Sequence, residues 1–351
     1  MSSLLRRIEA PPASAIPVDP VAFLRSLGGP AAIVVRGRDR TRCRVVVTLL
    51  HGNEPSGLLA LHGRLREGRA PATDALFLLG AVTAALADPP LSRRDLPDGR
   101  DLNRSFGPDA AAGPSRDLAR AILELVRAAT PEALIDIHNN TGHNPPYAVA
   151  MRMGEAECHL ARHFGDRLVH YDLQIGALAE ETPGLCPTVV IEAGRAGDPV
   201  ADRTARRGLD RFLDAPVLFE GVSREPRLDL FHRPVRVQIA TGVRLAYGEE
   251  PEPAAHLTIA EDVDRHNFQL LPAGTELGWL APGAPWPLVA RGADGVERSH
   301  ELFARDGERL VARHPIVPIM MTTNPQIAHS DCLFYAVERQ PAAEDPGLTA
   351  R

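Results

Sequence analysis

Five short apolar runs rich in β-branched residues constrain the fold of this chain more than any other feature. They span residues 31–37, 44–50, 75–82, 133–139 and 187–194. Their apolarity is continuous rather than alternating, which is typical of strands covered on both faces. Segments 55–69 and 115–129 lie between them with apolar residues at helical spacing, and Ser115 is the expected cap of the second helix. This alternation predicts an α/β fold with a doubly wound, mostly parallel (mixed) sheet.

The pattern changes near residue 226, where short or alternating strand-like runs separated by Gly and Pro replace the helical spacing. A chain of 351 residues is also longer than one typical core. We therefore expect a larger α/β domain over 1–225, followed by a smaller β-rich domain over 226–340. The composition of 341–351 predicts a disordered tail.

Composition and charge exclude several classes of protein. The formal net charge is −6 and no long basic block is present, so we expect no nucleic acid partner. No apolar stretch approaches the roughly 20 residues of a membrane-spanning helix. The first 17 residues lack the apolar core of a secretory signal, which favours a cytoplasmic location. The four cysteines have no CxxC spacing, which argues against disulfides and a thiolate zinc site.

Ionisable residues follow or end three of the apolar runs, namely His51, Glu54, Asp136, His138 and Glu192. The carboxyl ends of parallel strands meet at one edge of a sheet, where ligands gather. If His51, Glu54 and His138 converge at this edge, they form a set of two histidines and one glutamate. A catalytic zinc site has this number of protein ligands. Glu192 is then the candidate for moving a proton, and Asp136 for orienting an imidazole.

Each of these positions also has an ordinary structural interpretation. A lone His-x-x-Glu pair is usually incidental, and Glu192 fits a buried ion pair with Arg195. In the segment GRDLNRSFG, Arg104 fits either a bidentate clamp on a substrate carboxylate or an exposed side chain in a polar loop. The metal hydrolase interpretation depends on three separate strand ends that each carry a ligand-type residue.

Four blocks, in this order, resemble the succinylglutamate desuccinylase/aspartoacylase family of the zinc carboxypeptidase superfamily. They are HGNEPSG (51–57), DLNRSFG (101–107), DIHNNTG (136–142) and VVIEAG (189–194). The resemblance covers most of residues 44–195. It implies an α/β catalytic domain followed by a β-rich C-terminal domain that shapes the pocket.

The resemblance also implies a role for each matching residue. The ligands of one zinc ion per chain would be His51, Glu54 and His138. Glu192 would be the general base and acid, and Asn103 and Arg104 would bind the substrate carboxylate. A family arginine that polarises the scissile carbonyl has three candidates here, which are Arg93, Arg94 and Arg100, and we favour Arg94.

The chain departs from the family pattern at two places that concern the substrate. Aspartoacylases have an arginine about ten residues before the catalytic glutamate, where this chain has the acids of AEETPG. Their late substrate-binding tyrosine has no counterpart in IMMTTNPQIAHSD (319–331). N-acetylaspartate is therefore a poor expectation for the substrate.

These observations together predict a zinc-dependent hydrolase that cleaves the amide bond of an N-acyl amino acid or a related small N-acylated amine. The expected substrate is small and anionic. A zinc carboxypeptidase that acts on peptides and a catalytically silent zinc-binding module are the alternatives. The oligomeric state stays open, with a homo-oligomer among the options. Four further histidines, His62, His143, His163 and His170, are expected at the surface or in the core rather than as ligands. Among them we favour His143 as a pocket-lining residue, because it closely follows the DIHNNTG block.

Overall fold

The computed structural model describes residues 4–219 and 228–340, which form a twelve-stranded sheet and a separate five-stranded sheet. The segment 341–351, for which the sequence predicts a disordered tail, lies outside the described residues. Among the described residues, no helix is long and apolar enough to cross a bilayer.

Residues 4–219 alternate between strands and helices as the sequence predicts. The strands are β1 (Arg6–Glu9), β2 (Ala31–Val35), β3 (Asp39–Thr48), β4 (Thr73–Leu79), β5 (Ala133–Asn140), β6 (Tyr147–Ala150), β7 (Arg167–His170) and β8 (Thr188–Arg195). The helices are α1 (Pro20–Leu27), α2 (Ser56–Glu67), α3 (Val82–Ala85), α4 (Pro114–Ala129), α5 (Glu155–Arg162) and α6 (Pro199–Asp214). Strands β4, β3, β5 and β8 are parallel neighbours at the centre of the large sheet. The predicted α/β class is confirmed.

The alternation of side chains along β3 explains why its buried second half is apolar at successive positions, from Val45 to Val47. Val46 packs in the core that contains Leu58 of α2, whereas Val45 and Val47 pack in the core that contains Ile122 of α4. Successive strand residues point to opposite faces, so a strand with helices on both sides needs apolar residues at every position. The sheet is therefore doubly wound, as expected.

The C-terminal part contributes to both sheets. Its strands are β9 (Asp229–Ile239), β10 (Leu245–Tyr247), β11 (Leu257–Ile259), β12 (Glu276–Leu280), β13 (Leu288–Arg291), β14 (Phe303–Asp306), β15 (Arg309–Ala312), β16 (Val317–Ile319) and β17 (Phe334–Arg339). Strands β9, β13, β16 and β17 extend the large sheet, in the order β7-β9-β17-β16 with β13 beside β9. The small sheet has the order β10-β11-β12-β15-β14. Two short helices, α7 (Ser299–Leu302) and α8 (Pro325–Ser330), complete this part, and the division into domains at residue 225 stays a prediction.

The start of α4 differs from the expectation. The helix begins at Pro114 and its cap position is Gly113, so Ser115 lies inside the first turn and is not the cap. Proline fits this position because its fixed φ suits a helix and the missing N–H would have had no partner there. Ser115 instead donates its hydroxyl to the Asp98 carboxylate at 2.7 Å.

Gly57 in the first turn of α2 allows this helix to lie directly on the sheet. A Cβ at this position would sit 2.2 Å from Thr48 Oγ1 and 3.0 Å from Ile137 Cβ. Thr48 ends β3 and Ile137 belongs to β5, and the two strands pair there. The glycine therefore fixes how closely α2 approaches both strands.

We expect Gly57→Ala to lower the free energy of unfolding by about 1–3 kcal/mol, because the added methyl overpacks a contact that cannot open without moving a strand. Urea denaturation measures the change. The matched control is Gly184→Ala, where a Cβ would meet no atom within 4 Å. Equal stability of the two variants would contradict this account of the helix contact.

Candidate active site

The ends of two neighbouring parallel strands bring the metal-ligand candidates together. His51 follows β3, Glu54 precedes α2, and His138 lies near the end of β5. Thr48 and Ile137 are register partners, so the residues that follow them leave the sheet side by side. One ligand atom from each of His51, Glu54 and His138 lies within 4.8 Å of the other two, and all three side chains are buried.

Each imidazole of this cluster lies between two carboxylates. Glu54 Oε1 is 2.8 Å from His51 Nδ1, and Glu54 Oε2 is 2.7 Å from His138 Nδ1. On the far side of the rings, Asp101 Oδ1 is 2.8 Å from His51 Nε2 and Asp136 Oδ2 is 2.9 Å from His138 Nε2. A carboxylate behind an imidazole fixes the ring orientation, so both Nδ1 atoms face the carboxylate of Glu54.

The charge of Glu54 is preserved despite its burial. Burial alone would raise the pKa of this carboxyl group, but the adjacent imidazoles of His51 and His138 lower its pKa below the usual range. The backbone N–H of Asn139 donates to Glu54 Oε2 at 3.2 Å as well. The cluster therefore offers one anionic oxygen ligand between two nitrogen ligands.

Glu192 lies next to this cluster with an uncommitted carboxyl group. It is the register partner of His138 across β5 and β8, and it is buried. In the described parts of the chain it forms no ion pair, and its Oε2 has no hydrogen-bond partner, whereas Arg195 is exposed. Burial raises the pKa of Glu192 to about 7, while the nearby charges of His138 and Glu54 act in opposite directions. A carboxyl group in this state exchanges protons near neutral pH.

Of the three candidate arginines, Arg94 is the one that reaches the cluster. Its Nη1 donates to Glu54 Oε1 at 3.2 Å and its Nη2 donates to Asp101 Oδ2 at 2.9 Å. Arg93 is exposed, and Arg100 donates to carbonyl groups of the loop before α4. The assignment of a catalytic role to Arg94 stays a prediction.

Asn103 and Arg104 line the same pocket as the cluster. Asn103 is held in place because its Oδ1 accepts the backbone N–H of Leu178 at 3.0 Å. Arg104 donates through Nη2 to Asp331 Oδ2 at 3.2 Å, and Asp331 Oδ1 also accepts from Arg236 Nη2 at 2.5 Å. The structure therefore brings the three metal-ligand candidates, Glu192, Arg94, Asn103 and Arg104 into one pocket, and it adds an acidic partner for Arg104.

Much of the pocket lining is apolar. We call six of these residues the apolar wall, which consists of Val149, Met151, Val169, Tyr171, Ile319 and Met320. Tyr335, four residues beyond the stretch that lacks a family tyrosine, lines the pocket too, and its hydroxyl is 3.2 Å from that of Tyr171.

His143 is exposed and is not among the lining residues, so the expectation that it lines the pocket is wrong. Its backbone N–H donates to Asp264, which turns this segment towards the C-terminal part.

Sequence reasoning assigned no role to Asp101, Asp331 or the apolar wall. Asp101 stands directly before Leu102-Asn103-Arg104, and its place in that block was the one available signal. Asp331 follows α8 and meets Arg104 across 227 positions of sequence, which no local pattern shows. The wall combines strands from both parts of the chain, so it depends on the tertiary fold.

Asn139 braces three segments of the site. Its side-chain Oδ1 accepts the backbone N–H of Ser56 at 3.0 Å, and its Nδ2 donates to Ser56 Oγ at 2.8 Å and to the carbonyl of Gly194 at 3.0 Å. These bonds connect the start of α2, the end of β5 and the end of β8. They fix the spacing of the three segments that carry Glu54, His138 and Glu192.

We expect Asn139→Ala to reduce the free energy of unfolding by about 2–4 kcal/mol, because it leaves buried groups of Ser56 and Gly194 unpaired. The neighbouring Asn140 is a matched control, since it is also buried and both of its amide atoms lack a partner in the described segments. Asn140→Ala should therefore have a smaller effect in the same urea titration. A larger effect from Asn140→Ala would refute the bracing role.

Comparison with known proteins places the fold. No family model matches the chain, and no curated protein matches its sequence. A solved succinylglutamate desuccinylase from Vibrio parahaemolyticus is similar with a TM-score of 0.61 at 12% identity, over 93% of this chain and 96% of that chain. A succinylglutamate desuccinylase/aspartoacylase from Rhodobacter sphaeroides gives 0.57 at 14% identity, over 89% and 88%. Murine aminoacylase 3 gives 0.54 at 16% identity, over 87% and 97%.

Many of the structural neighbours are thus members of the succinylglutamate desuccinylase/aspartoacylase family, and murine aminoacylase 3 is among them. The likeness extends over both parts of the chain, because these alignments cover more than four fifths of it. The protein described here has the fold of the succinylglutamate desuccinylase/aspartoacylase structures.

Proposed function

We propose that this protein is a zinc-dependent hydrolase that cleaves the amide bond of an N-acyl amino acid or a related small N-acylated amine. The observation that carries the proposal is one pocket that contains both the buried cluster of His51, Glu54 and His138 and the uncommitted carboxyl group of Glu192. The fold supports it, since several neighbours with this fold are named as deacylating enzymes.

The donor set fits zinc. Two imidazole nitrogens and one carboxylate oxygen are typical ligands of a catalytic zinc ion, which keeps a fourth position open. The carboxylates of Asp101 and Asp136 behind the two rings match the outer hydrogen bonds that orient zinc-bound histidines. We therefore assign His51, Glu54 and His138 as the residues that would hold one zinc ion per chain.

Bound zinc supplies Lewis acidity and lowers the pKa of a water molecule towards neutrality. Glu192 accepts the proton of the attacking water and later delivers it to the departing amine, for which a pKa of about 7 is suitable. Arg94 places a guanidinium beside the cluster, where it stabilises negative charge that develops on the carbonyl oxygen. Asn103 and Arg104 hold the carboxylate of the substrate.

We expect purified wild-type protein to contain about one zinc ion per chain, and the His51→Ala/His138→Ala double variant to contain almost none, because the loss of two of three ligands removes most of the affinity. Elemental analysis after expression with ample zinc measures both. His143→Ala is the matched control, since this exposed histidine lies near the site without lining it. Absence of metal from the wild type would refute the zinc site.

We expect Glu192→Gln to keep the zinc but to lose about 10²–10⁴-fold in kcat on N-acyl amino acids, because the amide cannot accept the proton of water. Hydrolysis is followed by the release of free amine, and zinc content is measured on the same samples. Glu301→Gln, an exposed change outside the pocket, should retain full activity. Undiminished turnover by Glu192→Gln would rule out Glu192 as the general base.

A further inference from the structure

Both arginines that line the pocket already face carboxylates of the protein. Arg94 donates to Glu54 and Asp101, so its charge is compensated inside the metal cluster. Arg104 donates to Asp331 at 3.2 Å. Among the described residues that line the pocket, no other arginine or lysine is available for a substrate carboxylate. The positive charge available to a substrate carboxylate is therefore determined by Arg104 and the charged residues that contact it.

Asp331 is fixed in its position by β9. Its Oδ1 accepts from Arg236 Nη2 at 2.5 Å, and its backbone carbonyl accepts from Gln238 Nε2 at 2.9 Å. Its side chain is therefore tied to the sheet on one side while it faces Arg104 on the other. Arg104, Asp331 and Arg236 together carry two positive charges and one negative charge. This group has a net charge of +1, which balances one carboxylate.

The rest of the described lining gives a second carboxylate no arginine or lysine partner. The apolar wall offers no hydrogen-bond donor except the Tyr171 hydroxyl, which already donates to Tyr335. Glu192 and Asp331 are acidic, so they disfavour another anion nearby. An unpaired carboxylate in such surroundings loses its hydration without compensation. An aliphatic or aromatic substituent, in contrast, gains free energy by covering the wall.

We propose that Asp331 limits this pocket to substrates with a single carboxylate, and that an apolar substituent of the substrate lies on the apolar wall. The N-acyl amino acid part of this inference rests on the proposed function. The substituent is either the amino-acid side chain or the acyl chain, since both present the same apolar surface. Asp331 acts here as a residue that determines specificity, through its effect on Arg104.

The test is calorimetric binding to zinc-loaded Glu192→Gln protein, which does not require turnover. The ligands are N-acetyl-L-leucine and N-hexanoylglycine, each with one carboxylate and an apolar group, against N-acetyl-L-aspartate and N-acetylglycine. We expect at least one of the first two to bind ten times more tightly than both of the others. The one that does identifies which substituent covers the wall. Equal or tighter binding of N-acetyl-L-aspartate, or no binding by any ligand, would overturn the inference.

A second arm adds Asp331→Asn to the same protein. This change raises the net charge of the group around Arg104 from +1 to +2, so affinity for N-acetyl-L-aspartate should rise at least fivefold relative to N-acetyl-L-leucine. Asp294→Asn is the matched control, because Asp294 forms an exposed ion pair with Arg298 away from the pocket. An unchanged ratio in folded Asp331→Asn protein would overturn the role of Asp331. If this variant does not fold, the order of the four ligands decides.

Wild-type turnover of the same four compounds separates this inference from the proposed function. Hydrolysis that is fastest with N-acetyl-L-aspartate would support a deacylase and reject the charge limit. Binding in the expected order without any hydrolysis would support the charge limit and reject the deacylase. The two ideas therefore fail in different ways.

Discussion

Glu54 places one carboxylate oxygen on each of two imidazoles, and this bridge holds the ends of two parallel strands together. A buried carboxylate without such partners would be costly, so the strand ends and the charge stabilise one another. Asp101 and Asp136 complete the arrangement from behind the rings. Glu192 is the strand neighbour of His138, and Arg94 donates to Glu54. Both residues therefore lie beside this bridge.

The sequence is informative about the fold wherever burial acts on both faces of a strand. All five continuous apolar runs overlap β2, β3, β4, β5 or β8, and the two helical segments overlap α2 and α4. Helix ends are harder to predict from sequence. Ser115 has the better cap chemistry, but α4 begins at Pro114 with Gly113 at the cap position. Local preferences compete at such positions, and the loop that packs on the helix decides between them.

The same distinction applies to the site. The convergence of residues at strand ends is predictable, because a parallel sheet brings the carboxyl ends of its strands together independently of the loop conformations. Asp331 is different, since it lies just before β17, which pairs with β9, and meets Arg104 across 227 positions of sequence. The residues assigned to the reaction belong to the first part of the chain. The residues that we propose restrict the substrate come partly from the second part, which is why chemistry is easier to infer from sequence than specificity.

Strand β9 pairs with both β7 and β17, so the large sheet joins segments that are made early and late in synthesis. His51, Glu54, His138 and Glu192 leave the ribosome well before β17, and their strands pair without any residue beyond 195. The cluster of His51, Glu54 and His138 is thus synthesised ahead of Ile319, Asp331 and Tyr335, which line the same pocket. The candidate metal ligands therefore emerge before the residues that we propose select the substrate.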